Sequence, residues 1–150
     1  MAINRIACCT DFSGNAELAF YAALEMAEKY SAKLFIVHVL PTMINPLLTD
    51  TEWALPEEPK ETLMSNLEER MQLEYAAGIA EGIDSELVVL YGHVSSEILR
   101  FLEDRQMDLA VMGSYGLSGA GLVFFGSVAK RVTNKAPCSV MIVRDREKKH

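Results

Sequence analysis

No apolar stretch in the sequence approaches the roughly 20 uncharged residues that a membrane-spanning helix needs, so no membrane span is expected. Cysteine is sparse: Cys8, Cys9 and Cys138 make an odd number, with neither C-x-x-C nor zinc-ligand spacing. Adjacent strand residues face opposite ways. That disfavours a Cys8–Cys9 bridge and leaves a metal site without its other ligands; the expectation is buried thiols in a reducing cytoplasm. Basic charge is also scarce, with 14 Lys and Arg against 21 Asp and Glu and a net charge of −7. Binding a nucleic-acid backbone requires clustered cations, and the one basic concentration is the tail REKKH, which reads as a solvated end. Nucleic acid is therefore not an expected partner. Internal repeats and low-complexity segments are missing too. The N-terminal MAINRIACCTDFSG carries one basic residue and a short apolar run, and reads as a first strand, not an export signal.

What is present suits a single domain over residues 1–150. Half of the 150 residues are apolar, enough for a core. Apolar runs of strand length occur at 3–9, 33–39 (KLFIVHV), 85–92 (SELVVLYG), 108–112 and 138–143 (CSVMIV). Between them helical spacing predicts four helices. The first spans 15–30, with Ala19, Ala22, Ala23, Met26 and Tyr30 on its apolar stripe. The second spans 60–80, with Leu63, Leu67, Met71 and Tyr75 inward and Gly82 as its stop. The third spans 95–105, burying Ile98, Leu99 and Leu102, and the fourth 127–135, opened by Ser127. Strands that alternate with helices imply right-handed βαβ units. The fold class is thus α/β, a five-stranded, mostly parallel open sheet with helices on both faces. Ligands of such sheets bind beyond the carboxyl ends of the strands, where the winding reverses. Pro41 to Pro59, with four prolines, is the best loop candidate and an expected lid or partner contact.

The segment GSYGLSGAGLVFFGS, Gly113 to Ser127, holds five of the nine glycines. It fails the Walker A pattern, because Ser127 follows Gly126 directly and Lys130 is displaced. It fails GxGxxG as well, having Phe at 124. Ser118 lacks the second glycine of a nucleophile elbow. What remains is Gly113, Gly116, nine residues, then Gly126 and Ser127. That spacing leaves two readings open. In one, backbone amides and a helix N-terminus cradle a phosphate; in the other, the glycines shape a turn and Ser127 is an N-cap. His38 and His93, near strand ends, read as satisfied or partly buried histidines rather than catalytic bases, and the helix-face methionines as packing.

The spacing Gly-x-x-Gly, nine residues, Gly-Ser, followed by VAKRVTNKAPCSVMIVR, resembles the ATP-binding signature of the universal stress protein family. The likeness extends to TDFS after the first strand, HV ending the second, GHVSSEI in mid-chain and D-x-x-VMGS at the fourth. The resemblance implies a site in which Cys9, Asp11 and Val39 meet the adenine, Met112 and Gly113 meet the ribose and α-phosphate, and Gly116, Gly126, Ser127 and Val128 surround the phosphates. Asp11 has a second reading, as the cap of the first helix. Relatives often carry His and a basic residue where this chain has Tyr115 and Leu117, and Pro where it has Cys9. The first departure bears on phosphate number and affinity, so AMP or ADP stands beside ATP as ligand. Mg²⁺ would accompany ATP through its phosphate oxygens.

The resemblance also implies a cytoplasmic homodimer paired through Ser139 to Val143, with an unidentified protein partner reading the nucleotide state. Three functions are carried forward: a nucleotide-binding regulator, a slow ATPase or autophosphorylating enzyme, and an interaction protein without nucleotide. No catalytic residue and no protein metal ligand is assigned.

Overall fold

The computed structural model describes residues 2–42, 59–114 and 124–146. Most of the proline-rich loop, together with Tyr115, Gly116, Leu117 and Ser118, lies outside them.

Five strands, β1 (Arg5–Cys9), β2 (Lys33–Pro41), β3 (Ser85–Gly92), β4 (Leu109–Gly113) and β5 (Ser139–Val143), form one sheet in the order β3-β2-β1-β4-β5. All four pairings are parallel. The chain winds outward from β1 through β2 to β3, then crosses back to β4 and on to β5. Winding therefore reverses between β1 and β4, which places the switch point at their carboxyl ends. β1 starts two residues later than expected, and at its start Asp108 Oδ2 accepts the N–H groups of Asn4 (2.8 Å) and Arg5 (2.9 Å).

Helices α1 (Gly14–Tyr30) and α2 (Lys60–Tyr75) cover one face, α3 (Val94–Asp104) and α4 (Phe124–Lys135) the other. Beneath α1 and α2 lie Ile6, Cys8, Leu34, Ile36 and Val111; beneath α3 and α4 lie Ala7, Cys9, Phe35, Val37, Ala110 and Met112. Cys8 and Cys9 thus point to opposite faces, both buried, as strand alternation requires. Burial pushes the Cys9 thiol up to about 12 and raises Cys8 as well. Neither is a nucleophile near neutral pH.

All four helices depart from the expected register; α3 runs Val94–Asp104 and buries Phe101 with Ile98 and Leu102, leaving Leu99 half-buried. α1 buries Ala16, Ala19, Phe20, Ala23 and Ala27, while Tyr30 is 44% exposed. The stripe turns so that Phe20, the largest apolar group available, goes inward. α2 ends at Tyr75 and passes into a 3₁₀ turn over Ala76–Gly78 instead of running to residue 80. Its Met71 and Tyr75 are buried and its Leu63 and Leu67 only half-buried, so the helix meets the sheet at its C-terminal half. α4 starts at Phe124, three residues before Ser127. Gly126 costs a helix only about 1 kcal/mol relative to alanine, too little to act as a stop.

Candidate functional site

The turn Thr10–Ser13, which leaves β1 at the switch point, is held by its own side chains. Thr10 Oγ1 accepts the Phe12 N–H (3.0 Å), Asp11 Oδ1 accepts the Ser13 N–H (3.0 Å), and Ser13 Oγ accepts the Ala16 N–H (3.1 Å) to cap α1. Ser13, not Asp11, is the helix cap. Phe12 takes a left-handed backbone with φ of 65°, a conformation that costs a non-glycine residue and needs support from its surroundings. That support is visible. The Phe12 ring packs 4.6 Å from the His38 ring, the Arg70 guanidinium sits 3.9 Å above it, and the Tyr75 hydroxyl bonds Thr10 Oγ1. Burial raises the Tyr75 phenol to about 12, so it remains a hydroxyl.

His38 donates Nδ1–H to the Thr10 carbonyl at 2.8 Å. Burial lowers its pKa, opposed by that bond, and the ring serves as a strut between β2 and the turn. His93 caps α3, its Nδ1 accepting the Ser96 N–H at 3.4 Å. Both histidines are thus structurally engaged, in line with the sequence reading.

Asp11 is only 8% exposed, yet its Oδ2 is buried without a hydrogen-bond partner among the described residues. Leaving a buried carboxylate oxygen unpaired costs about 1–3 kcal/mol or more. An arriving donor N–H or O–H would recover that cost.

Four apolar residues of the expected site converge. Cys9 from β1, Val39 from β2, Met112 from β4 and Val128 from α4 belong to one buried cluster on the α3/α4 face. Val39 projects to this face because alternate residues of β2 do, and Val128 because it lies on the inward side of α4 with Ala129 and Val132. Gly113 ends β4 against α1. A Cβ there would lie 2.9 Å from the Asn15 carbonyl carbon and oxygen, so its small size already has a packing reason.

Ser127 corrects a further expectation. Because α4 begins at Phe124, Ser127 lies at the end of its first turn and is neither its opening residue nor its cap. Ser127 and Val128 line a cleft of about 450 Å³ at the carboxyl edge of the sheet, with Pro41 at the end of β2 and Thr42 after it, Gly92 at the end of β3, His93 to Ser95 at the start of α3, and Arg131. Arg131 was missed in the sequence, although it stands four residues after Ser127, the spacing that puts two side chains on one helix face. Its Nη1 donates to Ser95 Oγ (2.8 Å) and Ser96 Oγ (3.1 Å) and lies 3.4 Å from His93 Nδ1.

Backbone donors at a helix start, hydroxyls, a guanidinium and an adjoining apolar floor can hold an anion attached to an apolar ring. Among the described residues, no group of three or more His, Cys, Asp or Glu could hold a metal ion, and no helix is long and apolar enough to cross a membrane.

Comparison with known proteins agrees with this architecture. The Thermus aquaticus "universal stress protein in QAH/OAS sulfhydrylase 3′ region" is 31% identical over 137 residues, covering 89% of this chain and 93% of that protein. The structure of universal stress protein UspA from Lactobacillus plantarum superimposes with a TM-score of 0.72 at 23% identity, covering 96% of this chain and 99% of that one. That of a universal stress protein from Archaeoglobus fulgidus in complex with dAMP gives 0.62 at 24% identity, covering 95% and 98%. The model of the universal stress protein family matches residues 2–144, and the chain belongs to that family.

Proposed function

We propose that this protein is an adenine-nucleotide-binding regulator that takes ATP at the carboxyl edge of its sheet. Asp11 Oδ2, buried and without a hydrogen-bond partner among the described residues, carries the reading. It is an acceptor already desolvated by folding, and an adenine amino group or a ribose hydroxyl would complete it. Val39 and Val128, slightly exposed, would meet the base, above a core that includes Cys9 and Met112. Gly113, Gly126 and Ser127 would line the path of the phosphates, with Gly116, outside the described residues, assigned there by the signature spacing; ATP would bring Mg²⁺ on its own oxygens. The dAMP complex of the Archaeoglobus fulgidus neighbour supports the ligand class. The described lining of the cleft has a guanidinium, hydroxyls and an imidazole but no carboxylate to orient a water, which favours binding over hydrolysis. Such a module acts in the cytoplasm by presenting its nucleotide state to a partner.

The test is thermal unfolding with ATP, ADP or AMP, with and without Mg²⁺. At about 100 times its Kd a ligand stabilises by about 2.7 kcal/mol, roughly 5–10 °C for a domain of this length. A Tm unmoved by every adenine nucleotide at millimolar concentration would overturn the reading. Phosphate release followed over hours separates regulator from ATPase.

The same proposal includes a homodimer paired through β5. Among the described residues no strand pairs beyond β3 or β5, and the two edges differ. The β3 edge carries Glu86, paired with Arg105 at 2.9 Å, and the Lys60 ammonium lies 4.0 Å above its Tyr91 ring. On β5, Ser139 is followed by Val140, Met141, Ile142 and Val143, all half-buried and uncharged. An apolar, uncharged edge invites strand pairing, and a two-fold partner would cover it. Sedimentation equilibrium should give the mass of two chains, and Met141→Lys should shift it toward one. A monomer at tens of micromolar would refute the interface.

A further inference from the structure

The loop from Gly113 to Ser127 contains no Lys, Arg or His, so it brings no cation to a phosphate chain. The first basic residues after it are Lys130 and Arg131. Lys130 is exposed, whereas Arg131 is half-buried and lines the cleft beside Ser127 and Val128. We infer that this cleft, between the starts of α3 and α4, receives the outer phosphates of the bound nucleotide, and that Arg131 sets a preference for ATP and ADP over AMP. The inference rests on the nucleotide reading above and adds to it the seat of the phosphate charge.

Three observations carry it. First, the Arg131 guanidinium is pre-positioned: Nη1 is fixed by Ser95 Oγ and Ser96 Oγ, and those hydroxyls are themselves set by the first turn of α3. A fork anchored through one nitrogen keeps its remaining N–H groups in a fixed plane, which suits bidentate recognition of phosphate. Second, the Arg131 charge has no ion-pair partner among the described residues. The ion pairs there are Arg70–Glu74, Arg100–Glu97 and Arg105–Glu86, and the described lining of the cleft holds no carboxylate. Partly burying an arginine without a counter-ion is costly, and a phosphate would remove that cost. Third, the cleft is continuous with the proposed nucleotide site through Ser127 and Val128, and its volume of about 450 Å³ falls in the range of small-molecule sites. The Nδ1 atom of His93, which accepts the Ser96 N–H, places the ring proton on Nε2, leaving that nitrogen as a donor at the rim.

Calorimetric titration of the full chain with AMP, ADP, ATP and tripolyphosphate tests this. Wild type should bind ATP and ADP at least 10-fold more tightly than AMP. Arg131→Gln should weaken ATP on the order of 10- to 100-fold while changing AMP less than about 3-fold; Arg131→Lys, which keeps the charge without the fork, should recover part of the difference. Lys29→Gln, an equal change of charge at the far end of α1, should change neither. Equal affinity of wild type for AMP and ATP, or equal losses for both in Arg131→Gln, overturns the inference and leaves nucleotide binding standing. Binding of tripolyphosphate as tight as ATP would make free polyphosphate the ligand and overturn it in its source. If no adenine nucleotide binds, the underlying reading falls and this one with it. Should Arg131→Gln fail to fold, the wild-type ratio and Arg131→Lys still decide.

Discussion

Replacing Asp11 by asparagine is expected to cut the stabilisation by ATP from about 2.7 kcal/mol to roughly 0.4–1.4 kcal/mol, at a nucleotide concentration about 100 times the wild-type Kd. The estimate follows from losing one charge-assisted hydrogen bond, about 1.5–3 kcal/mol, or roughly 10- to 100-fold in affinity. Asparagine is the informative replacement because it preserves the turn. Its carbonyl can still accept the Ser13 N–H in place of Oδ1, and the turn and the Ser13 cap of α1 remain. Only the second oxygen changes, from an acceptor to an NH₂ donor that would face the donors of the ligand. The variant should therefore fold as well as wild type without ligand, since it replaces a buried carboxylate oxygen that has no partner among the described residues. A thermal shift with ATP identical to wild type would show that Asp11 Oδ2 does not meet the nucleotide.

A second large effect is expected at Gly113, and it is structural. Alanine there should lower the Tm of the ligand-free protein by about 3–10 °C, and valine by more. The Cβ would meet the Asn15 carbonyl group at 2.9 Å, and that is helix backbone, unable to rotate away as a side chain could. Relief requires lifting α1 from β4, a forced overpacking of about 1–3 kcal/mol. The denaturation midpoint without nucleotide is the measurement. A midpoint within 1 °C of wild type would mean that α1 yields freely and that the glycine serves the ligand alone. The distinction matters for design of controls. Loss of ATP binding in a Gly113 variant is confounded with loss of fold, whereas Asp11→Asn and Arg131→Gln touch neither α1 packing nor the sheet.

How much was legible in the sequence varied with the kind of constraint. SELVVLYG was read as a strand over the same residues the structure assigns to β3, because β-branched runs closed by glycine leave few alternatives. Cys8 and Cys9 were placed on opposite faces from strand geometry alone, and they lie in the two opposite cores. Helix faces were read less well. In α1 alanines occur on several faces, so the period could not say whether Phe20 or Tyr30 turns inward; the volume available beneath the helix decided it. Ser127 was placed at a helix start because serine is a frequent cap and glycine a frequent break, yet the helix runs back to Phe124. Ser127 and Arg131, four residues apart, share one helix face with either start, and both line the cleft.

Sequence alone determined the α/β class, the alternation of strands and helices, the glycine-serine spacing and with it the family, because these are properties of period and residue type along the chain. Tertiary structure decided the rest: the order β3-β2-β1-β4-β5 with its reversal at β1 and β4, the desolvation of Asp11 Oδ2, the contact that makes Gly113 small, and the meeting of Arg131 with Ser95 and Ser96 from 36 and 35 residues away. Burial and charge compensation depend on which distant segments pack together. No local pattern encodes them, since the same turn, helix or arginine could be solvated or buried according to what folds over it.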